Sequence, residues 1–108
     1  GRMAWVFLVI AGVFEITWAV GLKLSEGFTK LWPSVLTIAA MILSYVFLAQ
    51  AVKSLPLGTA YAIWTGIGAV GVAVAGIVLF HEPASVLRLV SISLVVAGII
   101  GLRLATPA

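Results

Sequence analysis

Four apolar runs, each about twenty residues long, alternate with short polar punctuation along the chain. From Met3 to Leu22 the one charged residue is Glu15, and the run stops at Lys23 and the turn-forming Ser25-Glu26-Gly27. Leu31 to Val52 carries no charge; Pro33 sits where a first helical turn tolerates it, and Lys53 closes the stretch. Leu55-Pro56-Leu57-Gly58 reads as a tight connection, and Thr59 to Phe80 is again uncharged until His81-Glu82-Pro83. The last run, from about Pro83 to Leu104, holds Arg88 and Arg103 near its ends, where long stems carry the charge to the headgroups. Twenty helical residues rise about 30 Å, the thickness of the hydrocarbon layer. The pattern therefore predicts an all-α integral membrane protein. It has four transmembrane helices per chain, at about 3–22, 31–52, 58–80 and 84–104, in one domain without internal repeats.

Composition agrees and removes several function classes. The chain is 64% hydrophobic and 8% charged with a strongly positive mean hydropathy, far from the roughly 25% charged residues of soluble domains. Its net charge of +3 does not point to nucleic acid, because the basic residues stand singly at the ends of apolar runs, as membrane anchors do. No cysteine is present, which excludes disulfides and thiolate metal sites. The single histidine, His81, reads as a solvated loop residue; neither a metal, a cofactor nor an enzymatic activity is expected. Gly1 and Arg2, ahead of Met3, read as a remnant of cloning and are left out of the function. Glu15 in the body of the first run argues against a secretory signal.

Helices alternate in direction, so Lys23, Lys30 and Arg88 share one side of the membrane. Lys53 and Arg103 share the other, joined by Arg2 if it counts. Orientation follows an asymmetry in Lys and Arg, and these tallies differ by one residue or none. A chain with so weak a bias could insert both ways up and pair antiparallel with its own copy, as an inverted repeat. Equally, features other than charge could hold one orientation.

Chemistry centres on Glu15. An ionisable side chain near the bilayer centre costs several kcal/mol. The nearest basic residue in sequence, Lys23, lies about 12 Å along the helix axis, too far for a salt bridge. Two readings remain: a permanently protonated acid bonded between helices, or, the stronger, a carboxyl that exchanges a proton for a cation. Positions three and four apart share a helix face, which puts Gly12 one turn before Glu15 as open space and Trp18 one turn after it. By position alone Trp18 reads equally as an interfacial belt residue, and sharing the face of Glu15 tips it toward an aromatic wall of a site. Trp5 and Trp32 sit where interfacial belt residues do. In helix three, Tyr61, Trp64 and Gly68 stack a phenol, an indole and a gap on one face, and Gly66 with Gly68 suggests a bend; ordinary packing explains the same spacing. Ser44 could bond Glu15 or, as helical serines usually do, a backbone carbonyl. Ala97, Gly98 and Gly101 permit close helix contact and suggest a dimer face on helix four.

Glu15, Trp18, the stretch Ser25-Glu26-Gly27-Phe28-Thr29-Lys30-Leu31-Trp32-Pro33-Ser34 and, above all, Gly58-Thr59-Ala60-Tyr61-Ala62-Ile63-Trp64-Thr65-Gly66-Ile67-Gly68 resemble the small multidrug resistance family. Trp18 beyond the acid and Lys53-Ser54-Leu55-Pro56-Leu57-Gly58-Thr59 resemble its guanidinium-exporting branch. The resemblance implies an antiparallel, dual-topology homodimer in the bacterial inner membrane that exchanges protons for guanidinium or small guanidinyl or quaternary ammonium cations. It implies Glu15 as the shared proton and cation site, with Ser44 and Trp64 as hydrogen-bond partners of its carboxylate. Trp18 and Tyr61 would line the pocket, Gly12 would give clearance, and Gly66 with Gly68 would bend helix three. A planar guanidinium does match a carboxylate bidentately and suits aromatic walls. The alternatives are an exporter of larger aromatic or quaternary ammonium cations and a non-transporting assembly subunit or rotor-like proteolipid.

Overall fold

The computed structural model describes residues 2–107, so Gly1 lies outside the described residues. Its four helices are α1 (Arg2–Leu24), α2 (Leu31–Ala51), α3 (Leu57–Leu79) and α4 (Val86–Ala105), within about two residues of the expected bounds. Each is long and apolar enough to cross a bilayer. Arg2 is part of α1.

The connections follow from local chemistry. After α1, the Ser25 hydroxyl donates to the Leu22 carbonyl at 2.7 Å and accepts the Phe28 N–H at 3.1 Å. That closes a turn in which Glu26, Gly27 and Phe28 all take positive φ (48°, 74° and 66°). Glycine adopts this conformation freely, and its two neighbours are held there by the buried serine between the helix ends. Pro56 stands at the N-terminus of α3, and the Ser85 side chain caps α4 by accepting the Arg88 N–H at 3.2 Å.

α1 packs against both α2 and α3, α3 also packs against α4, α2 touches α3 more sparsely, and the molecule measures 42 × 34 × 17 Å. The helices thus form a layer in the order α2, α1, α3, α4 with α1 inside it. Ala4 and Ala11 let α1 approach closely and, with the larger Leu8 between them, join Ala51, Leu55, Ala60, Ile63 and Trp64 in the core. α4 has no buried residue. It meets α3 where Gly66 faces Ile99 and Val95; a Cβ on Gly66 would come within 2.9 Å of Ile99 Cγ1. Its far end reaches back to α1 through the Arg103 guanidinium, 4.4 Å from the Trp5 ring centroid. The outward apolar side chains face lipid in a membrane-spanning chain, where such exposure costs nothing.

Candidate functional site

Glu15 sits on the side of α1 that meets α3, and its carboxyl lies directly against Gly68. A Cβ built at Gly68 would overlap the carboxyl group and come within 2.8 Å of Glu15 Cγ. Gly68 therefore provides the gap that its position on the Tyr61–Trp64 face suggested. α3 runs as one helix through Gly66 and Gly68, and each of the two glycines accommodates a different neighbour, Ile99 of α4 for Gly66 and Glu15 for Gly68. Gly12 provides another close approach. A Cβ there would meet Ile67 Cγ2 at 2.6 Å and Cβ at 2.9 Å, so its clearance is filled by α3 of the same chain.

One turn before Glu15 lies a closed polar relay. The Trp64 indole N–H donates to Ser44 Oγ at 2.9 Å, and the Ser44 hydroxyl donates to the Ala11 carbonyl at 2.7 Å. Ser44 is fully buried and Trp64 nearly so. Of the two partners open to Ser44, the backbone carbonyl takes its proton, so in this structure Ser44 and Trp64 bond to each other and to α1. The relay pins α2 and α3 to the turn of α1 that precedes the acid. Burying a hydroxyl and an indole N–H in so apolar a place is tolerable because both are satisfied.

Glu15 and Trp18 differ. Glu15 Oε1 and Trp18 Nε1 are both buried, and neither has a hydrogen-bond partner. An unsatisfied buried donor or acceptor costs about 1–3 kcal/mol, more if charged. Among the described residues Glu15 Oε1 and Trp18 Nε1 are the two sheltered side-chain polar atoms without a partner, and they lie within one turn of a single helix. A carboxylate oxygen that can accept hydrogen bonds from a cation is thereby left available beside an aromatic ring face, which is chemistry suited to a cation, whereas the indole N–H, itself a donor, has nothing to offer a guanidinium.

Around the Trp64 indole of the relay the aromatic rings form a chain. Tyr61 and Trp64 have centroids 5.4 Å apart at 58°, and Tyr45 and Trp64 5.6 Å apart at 50°, both tilted. Tyr61 is exposed and opens away from the single chain. Tyr45 escaped the sequence reading; its adjacency to Ser44 in an uncharged helix was the available signal. Ala97, Gly98 and Gly101 lie on exposed α4, and a Cβ on either glycine would meet no atom within 4 Å. His81 is an exposed loop residue, as expected. Among the described residues no group of three or more His, Cys, Asp or Glu could hold a metal ion.

Known proteins bear on this geometry. The profile of the family described as Small Multidrug Resistance protein matches residues 3–95. A protein named guanidinium exporter from Escherichia coli (strain K12) is 62% identical over 104 residues, 96% of this chain and 99% of the relative. Proteins of the same name from Citrobacter freundii and Salmonella typhimurium are 60% identical over the same extent.

Proposed function

Because the chain belongs to the small multidrug resistance family, we propose that this multi-pass protein of the bacterial inner membrane exports guanidinium in exchange for protons, by alternating access of one central site. The name shared by relatives 60–62% identical over nearly their whole length supports guanidinium as the substrate. The single observation that carries the site is the buried, unpartnered Glu15 Oε1 against Gly68, one turn from the unpartnered Trp18 Nε1.

In this mechanism, deprotonated Glu15 receives the planar cation through charge-assisted hydrogen bonds, and the cation replaces the proton that had neutralised the carboxyl. Trp18 and Tyr61 flank the cation's faces. Trp64 and Ser44 hold the turn of α1 that aims the acid, and α3, continuous here, bends at Gly66 and Gly68 during the conformational exchange. The one covalent bond that forms and breaks is the O–H bond of the Glu15 carboxyl, its proton passing to or from water, and the guanidinium keeps all of its own bonds.

The functional unit is an antiparallel homodimer of chains inserted in both orientations, with two Glu15 carboxyls in one site. Near-equal basic tallies on the two sides support dual insertion, and the bare, small-residue face of α4 at Ala97, Gly98 and Gly101 supports a helix–helix contact there.

Guanidinium affinity measured by calorimetry across the acid range, on wild type and Glu15→Gln, tests the reading. Where free Glu15 is protonated, lowering pH by one unit weakens wild-type binding about tenfold if one proton is displaced and about a hundredfold if two are. Glu15→Gln binds no guanidinium at any pH and supports no proton-driven uptake in liposomes. Flat affinity in folded wild type would overturn proton exchange at a shared site. Preference for bulky aromatic cations over guanidinium would favour the multidrug reading instead.

A further inference from the structure

One to two turns beyond Glu15 the seam between α1 and α3 opens into a cavity of about 340 Å³ that includes Ala19 and Lys23 of α1, Val72 and Gly76 of α3, and Glu82 and Arg88. Ala19 and Lys23 follow Glu15 by four and eight residues, and Val72 and Gly76 follow Gly68 by the same steps. The cavity therefore continues the face on which the central acid lies, toward the membrane surface.

Glu82 is built into its mouth. The Gly76 carbonyl accepts both the Phe80 N–H at 3.1 Å and the Glu82 N–H at 3.0 Å. The chain makes that return through His81 at φ 57°, a left-handed conformation that non-glycine residues seldom take. The Glu82 carboxylate then lies on Gly76, where a Cβ would come within 2.8 Å of its Cδ. Arg88 covers it, with Nη2 at 3.3 Å from Glu82 Oε1 and Nη1 donating to the Pro83 carbonyl at 3.1 Å. Lys23 stands across the cavity with Nζ 5.4 Å from the Phe80 ring centroid.

The charges that line the cavity are thus two cations and one acid. A passing cation is repelled by Lys23 and Arg88 and attracted by Glu82 alone. The group resident on Glu82 is itself a guanidinium. Both groups of the ion pair keep some two-fifths of their side-chain surface exposed, so the pair is weak and exchangeable, as ion pairs in contact with water are.

We propose that Glu82 is an outer docking carboxylate for guanidinium on its way to or from Glu15, with the Arg88 side chain as a tethered competitor that yields to the substrate and reseats behind it. This rests on the reading of the central site given above. In an antiparallel dimer each membrane face would carry one such mouth.

Proton-driven guanidinium uptake into liposomes by wild type, Glu82→Gln, Arg88→Gln and the double variant tests it, with equilibrium affinity read from tryptophan fluorescence. Glu82→Gln raises KM roughly 3- to 10-fold, and less at high salt, while the maximal rate and the equilibrium affinity stay within about twofold of wild type. Arg88→Gln lowers KM by roughly 2- to 5-fold, and the same change made on top of Glu82→Gln lowers KM by less, because competition for Glu82 is then gone and only the long-range repulsion by Arg88 is relieved. An unchanged KM in Glu82→Gln overturns the outer site and leaves the central one standing. A rise of KM in both single variants, or a parallel loss of maximal rate and affinity, makes the ion pair a structural latch and also overturns it. A wild type that moves no guanidinium overturns the central reading and this one together.

Discussion

Two adjacent turns of α1 treat buried polarity in opposite ways. At Ala11 the backbone carbonyl, the Ser44 hydroxyl and the Trp64 indole form a relay whose donors are all used within the chain. At Glu15 and Trp18, one and two turns on, a carboxyl oxygen and an indole N–H are equally sheltered and have no partner. Both turns lie on one helix in one apolar span, so hydropathy does not explain the difference; the relay residues are buried, whereas Glu15 and Trp18 are half-buried with only the carboxyl oxygen and the indole nitrogen sheltered. A satisfied relay stabilises and positions, whereas open groups keep their interaction energy for something that arrives. The contrast separates scaffold from working site inside a single apolar bundle.

The largest effect that sharpens this contrast is expected at Gly68. Gly68→Ala places a methyl group on the Glu15 carboxyl, the far end of a flexible side chain that can swing aside. Thermal stability in detergent should therefore change by less than about 1 kcal/mol, while guanidinium affinity falls about 10- to 100-fold because the displaced acid no longer meets the cation in register. Unchanged affinity would mean that the carboxyl does not work from the position seen here.

Ser44→Ala tests the closed side. It leaves the Trp64 indole N–H buried without an acceptor and costs about 1 to 2 kcal/mol, read as a lower unfolding midpoint in mild detergent. Activity lost without any loss of stability would instead assign Ser44 to the substrate.

The smallest expected change is in Trp18→Phe, which removes an N–H that has no partner. Stability stays within about 0.5 kcal/mol of wild type, and guanidinium affinity drops about two- to fivefold, since phenylalanine presents a weaker ring face to a cation. Destabilisation as large as that of Ser44→Ala would break the distinction, because it would reveal an engaged indole.

The sequence by itself determined the four spans, their approximate ends and the singular position of Glu15. Each of these depends on a local quantity: run length against bilayer thickness, turn residues at the breaks, and the cost of one acid in apolar surroundings. It also put Gly68 on the face of Tyr61 and Trp64, because helical periodicity is local too. Which helix each face meets is not a local property. Only the tertiary structure decided that Gly68 receives the Glu15 carboxyl while Gly66 receives Ile99, two residues apart on one helix and opposed in use. It likewise gave the Ser44 proton to the Ala11 carbonyl, a choice between acceptors equally available on paper, and it brought Tyr45 against Trp64. Glu82 was the least legible residue: in sequence it marks the end of a span. Its place over Gly76 beside Arg88 and Lys23 follows from one left-handed residue that folds the loop back onto α3. Long-range pairing and a reversal of backbone hand depend on which surfaces fit together, and no periodicity in the chain encodes them.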